Sequence, residues 1–145
     1  MPDGKTVSEN RKFAGAYLLD SSALLTYACD EAGADTIQAL LRSAHAGHCT
    51  VLLSFITLME ACSEVWLREG EEAARLLYGR ISDLPIQQVG MDADLLWSAS
   101  EVKTTRPLSV TESWLFATAK RYQAVLVHKD PHLEHLQGIV SSISL

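Results

Sequence analysis

Asp20, Glu60, Glu112 and Asp130 are the residues of this chain whose type and placement could do chemistry. Each stands behind a short apolar run or near the point where a helix begins. Carboxylates gathered in one place repel one another unless a cation joins them. Oxygen-only ligands suit a hard ion: Mg²⁺ binds through one or two carboxylates with waters and substrate phosphate, and Mn²⁺ accepts similar ligands. An ion held that way polarises a phosphodiester, activates water and clamps the attacking and leaving oxygens. The four acids therefore raise the expectation of a divalent-metal nuclease.

Each acid also has an ordinary structural explanation. Asp20 and Asp130 can be N-caps, worth about 1 kcal/mol each. Thr57-x-x-Glu60 and Ser109-x-x-Glu112 both match the capping box, in which the glutamate folds back onto the N-cap amide. Caps do not require all four acids to converge, so the elements that carry them decide the matter.

Those elements alternate. Ala16 to Leu19 is a short buried-strand pattern ending at Asp20, and Asp20-Ser21-Ser22 opens a helix through Ala23, Leu24 and Leu25. Ala34 to Ala46 repeats apolar residues at helical spacing and stops at Gly47. Thr50 to Leu53 predicts a second strand. Helices are predicted from about Thr57 to Glu69, closed by Gly70, and from Glu71 to Tyr78, ending near Gly79. Leu84 to Val89 is a weaker strand pattern, because it contains Pro85. Asp92 caps a helix to about Lys103. Ser109 or Thr111 opens one to Tyr122, beyond the break at Pro107. Ala124 to Val127 predicts a strand, Asp130-Pro131 a short helix start, and Ile139-Val140 a last short strand.

Strands alternating with helices imply βαβ units, hence an α/β fold of three layers, a mostly parallel central sheet with helices on both faces. Right-handed crossovers then place the C-terminal ends of the strands at one edge, where open α/β sheets bind ligands. All four acids project towards that edge. Residues 1–13 read as a flexible polar tail and residues 14–145 as a single domain.

At 145 residues and 48% hydrophobic content, the chain is long and apolar enough to bury a core. The longest apolar stretch, Val51 to Ala61, is interrupted by Ser54, Thr57 and Glu60 and is too short for a bilayer, which needs about 20 residues. No apolar signal core opens the sequence, so a cytoplasmic location with no membrane partner is expected. Cys29, Cys49 and Cys62 form no CxxC pair and read as buried small residues in a reducing compartment. The net charge of −6 argues against a nucleic-acid partner at first sight. Between Lys103 and Lys129, however, five basic residues face one acid, a local +4 that leaves −10 for the rest.

The residues carry a resemblance. Tyr17-Leu18-Leu19-Asp20-Ser21-Ser22-Ala23-Leu24 resembles the opening of a PIN domain, whose first strand ends in Asp followed two residues later by Ser or Thr. Leu58-Met59-Glu60 resembles that family's second acid. Ser109 to Ala119 resembles its third motif, an acid followed by an Ala-rich helix ending in Ala-Thr-Ala. Val125-Leu126-Val127-His128-Lys129-Asp130 resembles its fourth, a strand leading into Asp. The likeness runs from about Tyr17 to Val140, and length and plan are most similar to the toxin ribonucleases of toxin–antitoxin pairs, the VapC type.

What the resemblance implies is hydrolysis of RNA by water activated at Mg²⁺ or Mn²⁺. Asp20, Glu60, Glu112 and Asp130 would be direct or water-mediated ligands, and Ser22 would position a ligand or a bound water by hydrogen bonding. A small antitoxin protein and a homodimer are implied partners. Two positions depart from the family pattern. Glu112 stands where Asp is usual, which extends the carboxylate by about 1.5 Å. His128 stands where Thr or Ser is common. The alternative is accordingly a catalytically weakened PIN-like module that binds nucleic acid or protein.

Other readings have less support. No GxGxxG follows the first strand and no GxxxxGK[ST] occurs, which removes dinucleotide and P-loop sites. An aspartyl-phosphate hydrolase would need Asp at position 22, where Ser22 stands. His128, His132 and His135 cluster, but without a second ligand pair they read as a helix face more readily than a zinc site. His45 and His48 read as exposed. Arg106, Lys120, Arg121 and Lys129 could position phosphates or be surface charge. Trp66, Trp97 and Trp114 are expected in the core or at a dimer interface.

Overall fold

The computed structural model describes residues 13–130 and 140–145. Its apolar runs become the strands β1 (Gly15–Leu19), β2 (Cys49–Ser54), β3 (Gln87–Val89), β4 (Ala124–His128) and β5 (Ser142–Ser144). They form one sheet in the order β3-β2-β1-β4-β5, and every pair is parallel. Among the described residues six helices surround it: α1 (Ser21–Ala28), α2 (Ala34–His45), α3 (Phe55–Glu69), α4 (Glu71–Ser82), α5 (Ala93–Thr105) and α6 (Val110–Tyr122).

The three layers follow from the two-residue period of a strand. Tyr17, Leu19, Val51, Leu53 and Val127 face the side covered by α1 to α4, where they meet Leu24, Ile37, Leu40, Ala61, Leu77 and Ile81. Leu18, Leu52 and Leu126 face the other side and meet Leu95, Ala99, Leu115 and Phe116 from α5 and α6. Strands covered on both faces read as unbroken apolar runs, which is the pattern of the three central strands. Each fully buried Leu or Val contributes about 1.5–3 kcal/mol, so this pair of interfaces anchors the molecule.

Register levels the ends of the central strands. Leu19 pairs with Leu53 of β2 and Val127 of β4, and the Asp20 amide adds one more bond to the Val127 carbonyl at 3.1 Å. The residues that follow these strands therefore emerge at one edge, as the alternation of elements requires.

Several expectations are corrected by packing. The last strand is Ser142–Ser144; Val140 lies outside it and Ile139 outside the described residues. α4 runs through Gly79 to Ser82, because Leu77 and Ile81, one turn apart, are both buried and outweigh the roughly 1 kcal/mol cost of a helical glycine. The strand expected over Leu84 to Val89 shrinks to three residues, consistent with Pro85. Gly70, at φ 95°, ends α3 and caps α4 in a conformation that L side chains rarely adopt. Phe13, assigned to the tail from sequence, is buried and packs edge-on against Tyr17 at 5.6 Å between ring centroids. The rest of that tail, the helix expected after Asp130, His132 and His135 lie outside the described residues.

Of the tryptophans, expected in the core or at a dimer interface, Trp114 packs against the core and Trp66 and Trp97 do not. Trp97 is 70% exposed and Trp66 50%, while Trp114 is half-buried. Cys29 is exposed and Cys49 and Cys62 are half-buried, so the expectation of buried cysteines fails most clearly at Cys29. His45 and His48 are exposed, as expected. Among the described residues no helix is long and apolar enough to cross a membrane.

Candidate active site

The four acids reach one cavity. Asp20, Glu60, Glu112 and Asp130, with Ser109 and Thr111 beside them, line a space of about 240 Å³ at the C-terminal edge of the sheet. Asp20 is the residue immediately after β1, and Asp130 lies two residues beyond β4. Glu60 is on the second turn of α3, and Glu112 is in the first turn of α6. They face the same space without being drawn together: among the described residues no three His, Cys, Asp or Glu side chains stand close enough to hold one ion.

Asp20 is the most constrained of the four. The residue is 4% exposed, and its carboxylate caps α1, accepting the Ala23 amide at 2.8 Å on Oδ1. The Ser22 hydroxyl lies 2.7 Å from Oδ1 and 2.9 Å from Oδ2, and accepts the Lys129 amide at 2.8 Å. Ser22 thereby fastens Asp20 to the segment that follows β4. The cap and the site use the same side chain, so the two readings of Asp20 are not exclusive.

Charge in the cavity is under tension. Burial pushes the Asp20 carboxyl above its ordinary range; the Ala23 amide, the Ser22 hydroxyl and attraction to His128 oppose the shift, and Asp130 adds to it. Glu60 is pushed up as well, first by desolvation, then by the negative charge of Asp20 and Glu64. A hard cation would relieve both, and an all-oxygen donor set is what such a cation takes. The donor chemistry of these residues thus fits a divalent ion, which at their present spacing would be held in part through water.

Glu112 meets its capping expectation and the cavity at once. Ser109 Oγ accepts the Glu112 amide at 3.1 Å, and Glu112 Oε1 accepts the Ser109 amide at 3.1 Å. The box expected at Thr57 and Glu60 is absent. Ser54 caps α3 instead, accepting the Ile56 amide at 3.3 Å, which leaves Glu60 beyond the first turn with its side chain released to the cavity. Sequence could not separate these cases, since Ser54 and Thr57 are both acceptable caps three residues apart.

His128 is fully buried, with Nδ1 3.1 Å from the Asp130 carbonyl oxygen. It is a buried polar residue and is not among those that line the cavity. Of the basic residues expected near phosphates, Arg121 is committed to a two-point ion pair with Asp92, at 2.7 Å for each contact. Lys129 Nζ is held by the Ala32 carbonyl at 2.9 Å and by Glu31 at 3.5 Å. Three contributors carry no site signal in the sequence. Ser109 and Thr111 read there only as helix starts, and the Lys129 amide reaches Ser22 across 107 residues of chain.

Comparison with known proteins bears on the same residues. The family model described as PIN domain matches residues 17–139. No curated protein matches the chain in sequence. Among solved structures, VapBC2 from Rickettsia felis bound to a DNA fragment from its promoter superposes with a TM-score of 0.70 at 14% identity, covering 89% of this chain and 98% of that one. A toxin–antitoxin complex from Klebsiella pneumoniae gives 0.64 at 17% identity over 88% and 96%. VapC20 of Mycobacterium tuberculosis, a Sarcin-Ricin loop cleaving toxin, gives 0.62 at 18% identity over 82% and 93%. At such identities the superpositions speak for the fold.

Proposed function

Because the chain belongs to the PIN domain family, we propose that it is a metal-dependent endoribonuclease, the toxin of a toxin–antitoxin pair. The observation that carries the reading is the single cavity lined by Asp20, Glu60, Glu112 and Asp130. In this reading those four hold Mg²⁺ or Mn²⁺, directly or through water. The bound ion would supply Lewis-acid polarisation of the scissile phosphodiester and a water made nucleophilic at neutral pH.

The chain supplies placement. Asp20 is fixed by the Ala23 amide and Ser22, so its free oxygen lone pairs present one orientation to a ligand. Ser22 keeps that orientation coupled to the segment carrying Asp130. Glu60, on a rigid helix and without a cap to serve, is the acid with the most freedom to swing towards an ion. Glu112 is pre-oriented by its bond to the Ser109 amide. Residues 14–145 act as one domain in this reading, with Phe13 packed into it. In this reading the protein works in the cytoplasm as a homodimer neutralised by a small antitoxin; the antitoxin is supported by the likeness to a toxin–antitoxin complex from Klebsiella pneumoniae and to VapBC2 from Rickettsia felis.

The test is cleavage of RNA with Mg²⁺ or Mn²⁺ by the native chain and by Asp20→Asn. Asparagine keeps the N-cap, so cleavage unchanged by this substitution would sink the assignment of the site.

A second reading, a catalytically weakened PIN-like binding module, is favoured by the capping box that occupies Glu112. Calorimetry with Mn²⁺ separates the two. Weak or absent binding would support the module, and stoichiometric binding lost in Asp20→Asn supports the nuclease.

A further inference from the structure

The first two turns of α6 serve two cavities. Thr111, Glu112 and Leu115 face the acid cavity, while Val110, Ser113 and Trp114 line a second space of about 170 Å³ shared with Ala99, Ser100 and Lys103 of α5. A helix with its side chains is about 10 Å across, so the two spaces lie within reach of one short stretch of single-stranded nucleic acid.

The second space has the parts of a stacking site. Trp114 is half-buried, and its ring is braced edge-on by Phe55 of α3 at 5.1 Å between centroids and 78° between planes. An indole braced in this way loses little entropy when a base stacks on it. Lys103 stands in the last turn of α5, exposed, and lines the same space. Arg121 is taken up by Asp92, and Lys129 by Glu31 and the Ala32 carbonyl, whereas among the described residues no carboxylate engages Lys103. The small side chains Ala99 and Ser100 leave room beside the indole. An aromatic ring beside an ammonium that no carboxylate engages among the described residues is complementary to a base and its neighbouring phosphate.

We propose that the α5–α6 cavity is a nucleobase subsite for the strand cleaved at the acid cavity, with one base stacked on Trp114 and an adjacent phosphate paired with Lys103. The inference rests on the ribonuclease reading and adds to it where the substrate is gripped. Stacking accepts every base, so this subsite fixes register along the strand and prefers an unpaired stretch over a duplex.

Trp66 and Trp97 are exposed, so Trp66→Phe with Trp97→Phe leaves Trp114 as the sole tryptophan in the full chain, excited at wavelengths beyond the tyrosine absorption. Asp20→Asn is added to prevent cleavage. The probes are a mixed-sequence ten-nucleotide RNA and the same ribose-phosphate strand without bases, with binding of end-labelled strands followed by anisotropy. The RNA is expected to quench Trp114 emission and the abasic strand is not. Trp114→Ala should weaken RNA binding about tenfold, with Trp114→Phe retaining most of it. Lys103→Ala, on the exposed surface, should weaken binding of both strands and lower the salt slope by about one.

RNA that binds by anisotropy while Trp114 emission and the effect of Lys103→Ala are both nil would overturn the subsite. So would emission that shifts with protein concentration alone, which would mark this face as a contact between copies. Cleavage by the native chain with Mg²⁺ or Mn²⁺ is read in parallel. Cleavage with an unresponsive Trp114 overturns only the subsite, and neither cleavage nor binding overturns both readings.

Discussion

Ser22 Oγ lies 2.7 Å from Asp20 Oδ1 and 2.9 Å from Oδ2, and the same hydroxyl accepts the Lys129 amide at 2.8 Å. One short side chain therefore ties the end of β1 to the end of β4, the two places that deliver Asp20 and Asp130 to the cavity.

Removing that hydroxyl should uncouple the pair. Ser22→Ala is expected to lower RNA cleavage by about 10–100-fold, the usual loss when a partner supporting a metal ligand is deleted. It should also cost about 1–2 kcal/mol of stability, since the Lys129 amide loses its acceptor. Ser22→Thr restores the hydroxyl and should recover most activity. A Ser22→Ala enzyme as active as the native one would show that Asp20 needs no such support.

The crowded acids should destabilise the metal-free protein at neutral pH. Asp20 and Glu60 both have carboxyls pushed up by burial, so the folded state binds protons that the unfolded state releases. Their stability contribution is full below the unfolded values, about 3.9 and 4.3, and falls as pH rises through the higher folded values. Asp20→Asn should therefore raise the metal-free Tm at pH 7, by about 3 °C for a gain on the order of 1 kcal/mol. Mn²⁺ should raise the native Tm and leave the variant nearly unmoved. Thermal scans at pH 4 and pH 7, with and without the ion, check each part.

The two duties of Glu112 can be separated. Gln at the same position still closes the capping box but carries no charge. Glu112→Gln is expected to stay within about 0.5 kcal/mol of the native stability, read as a nearly unchanged Tm. Its cleavage should drop at least about tenfold if the carboxylate serves the ion. Equal cleavage by both proteins would leave Glu112 a cap alone and favour a site of three acids.

Asp92 and Arg121 make the opposite kind of ion pair, one away from the acid cavity. The Arg121 guanidinium and then the Leu95 amide hold the Asp92 carboxyl down to about 2. This contribution is full above the unfolded value of about 3.9 and is lost as pH falls through about 2. Asp92→Asn keeps the cap of α5 and should lower the Tm slightly at pH 7, with the difference from the native protein closing below pH 3. RNA cleavage at neutral pH should be unchanged. A loss of cleavage would place Arg121 among the residues that hold RNA.

Much of this was legible in order. Apolar runs at Ala16–Leu19, Thr50–Leu53 and Ala124–Val127 became the three central strands, because a strand covered on both faces needs apolar residues throughout. Asp20, Asp92 and Ser109 read correctly as caps, since a cap bonds amides only two or three residues away. Signals of that kind are local and survive in a bare sequence. The convergence of four acids on one edge also followed, because alternating strands and helices allow few topologies.

Tertiary packing decided what local signals could not. Thr57 and Ser54 compete for one helix start, and the burial of Thr57 against the core settled the choice for Ser54, releasing Glu60 to the cavity. Three tryptophans look equally fit for a core; only the faces that other helices cover determine that Trp97 is exposed and Trp114 half-buried. Lys103, Arg121 and Lys129 are one basic stretch on paper, yet Asp92 and Glu31 neutralise two of them across long sequence separations. The sequence by itself determined which residues stand at strand ends and helix starts. The fold decided which carboxylates share a cavity and which charges are spent on each other, since burial and Coulomb interaction depend on distance in space.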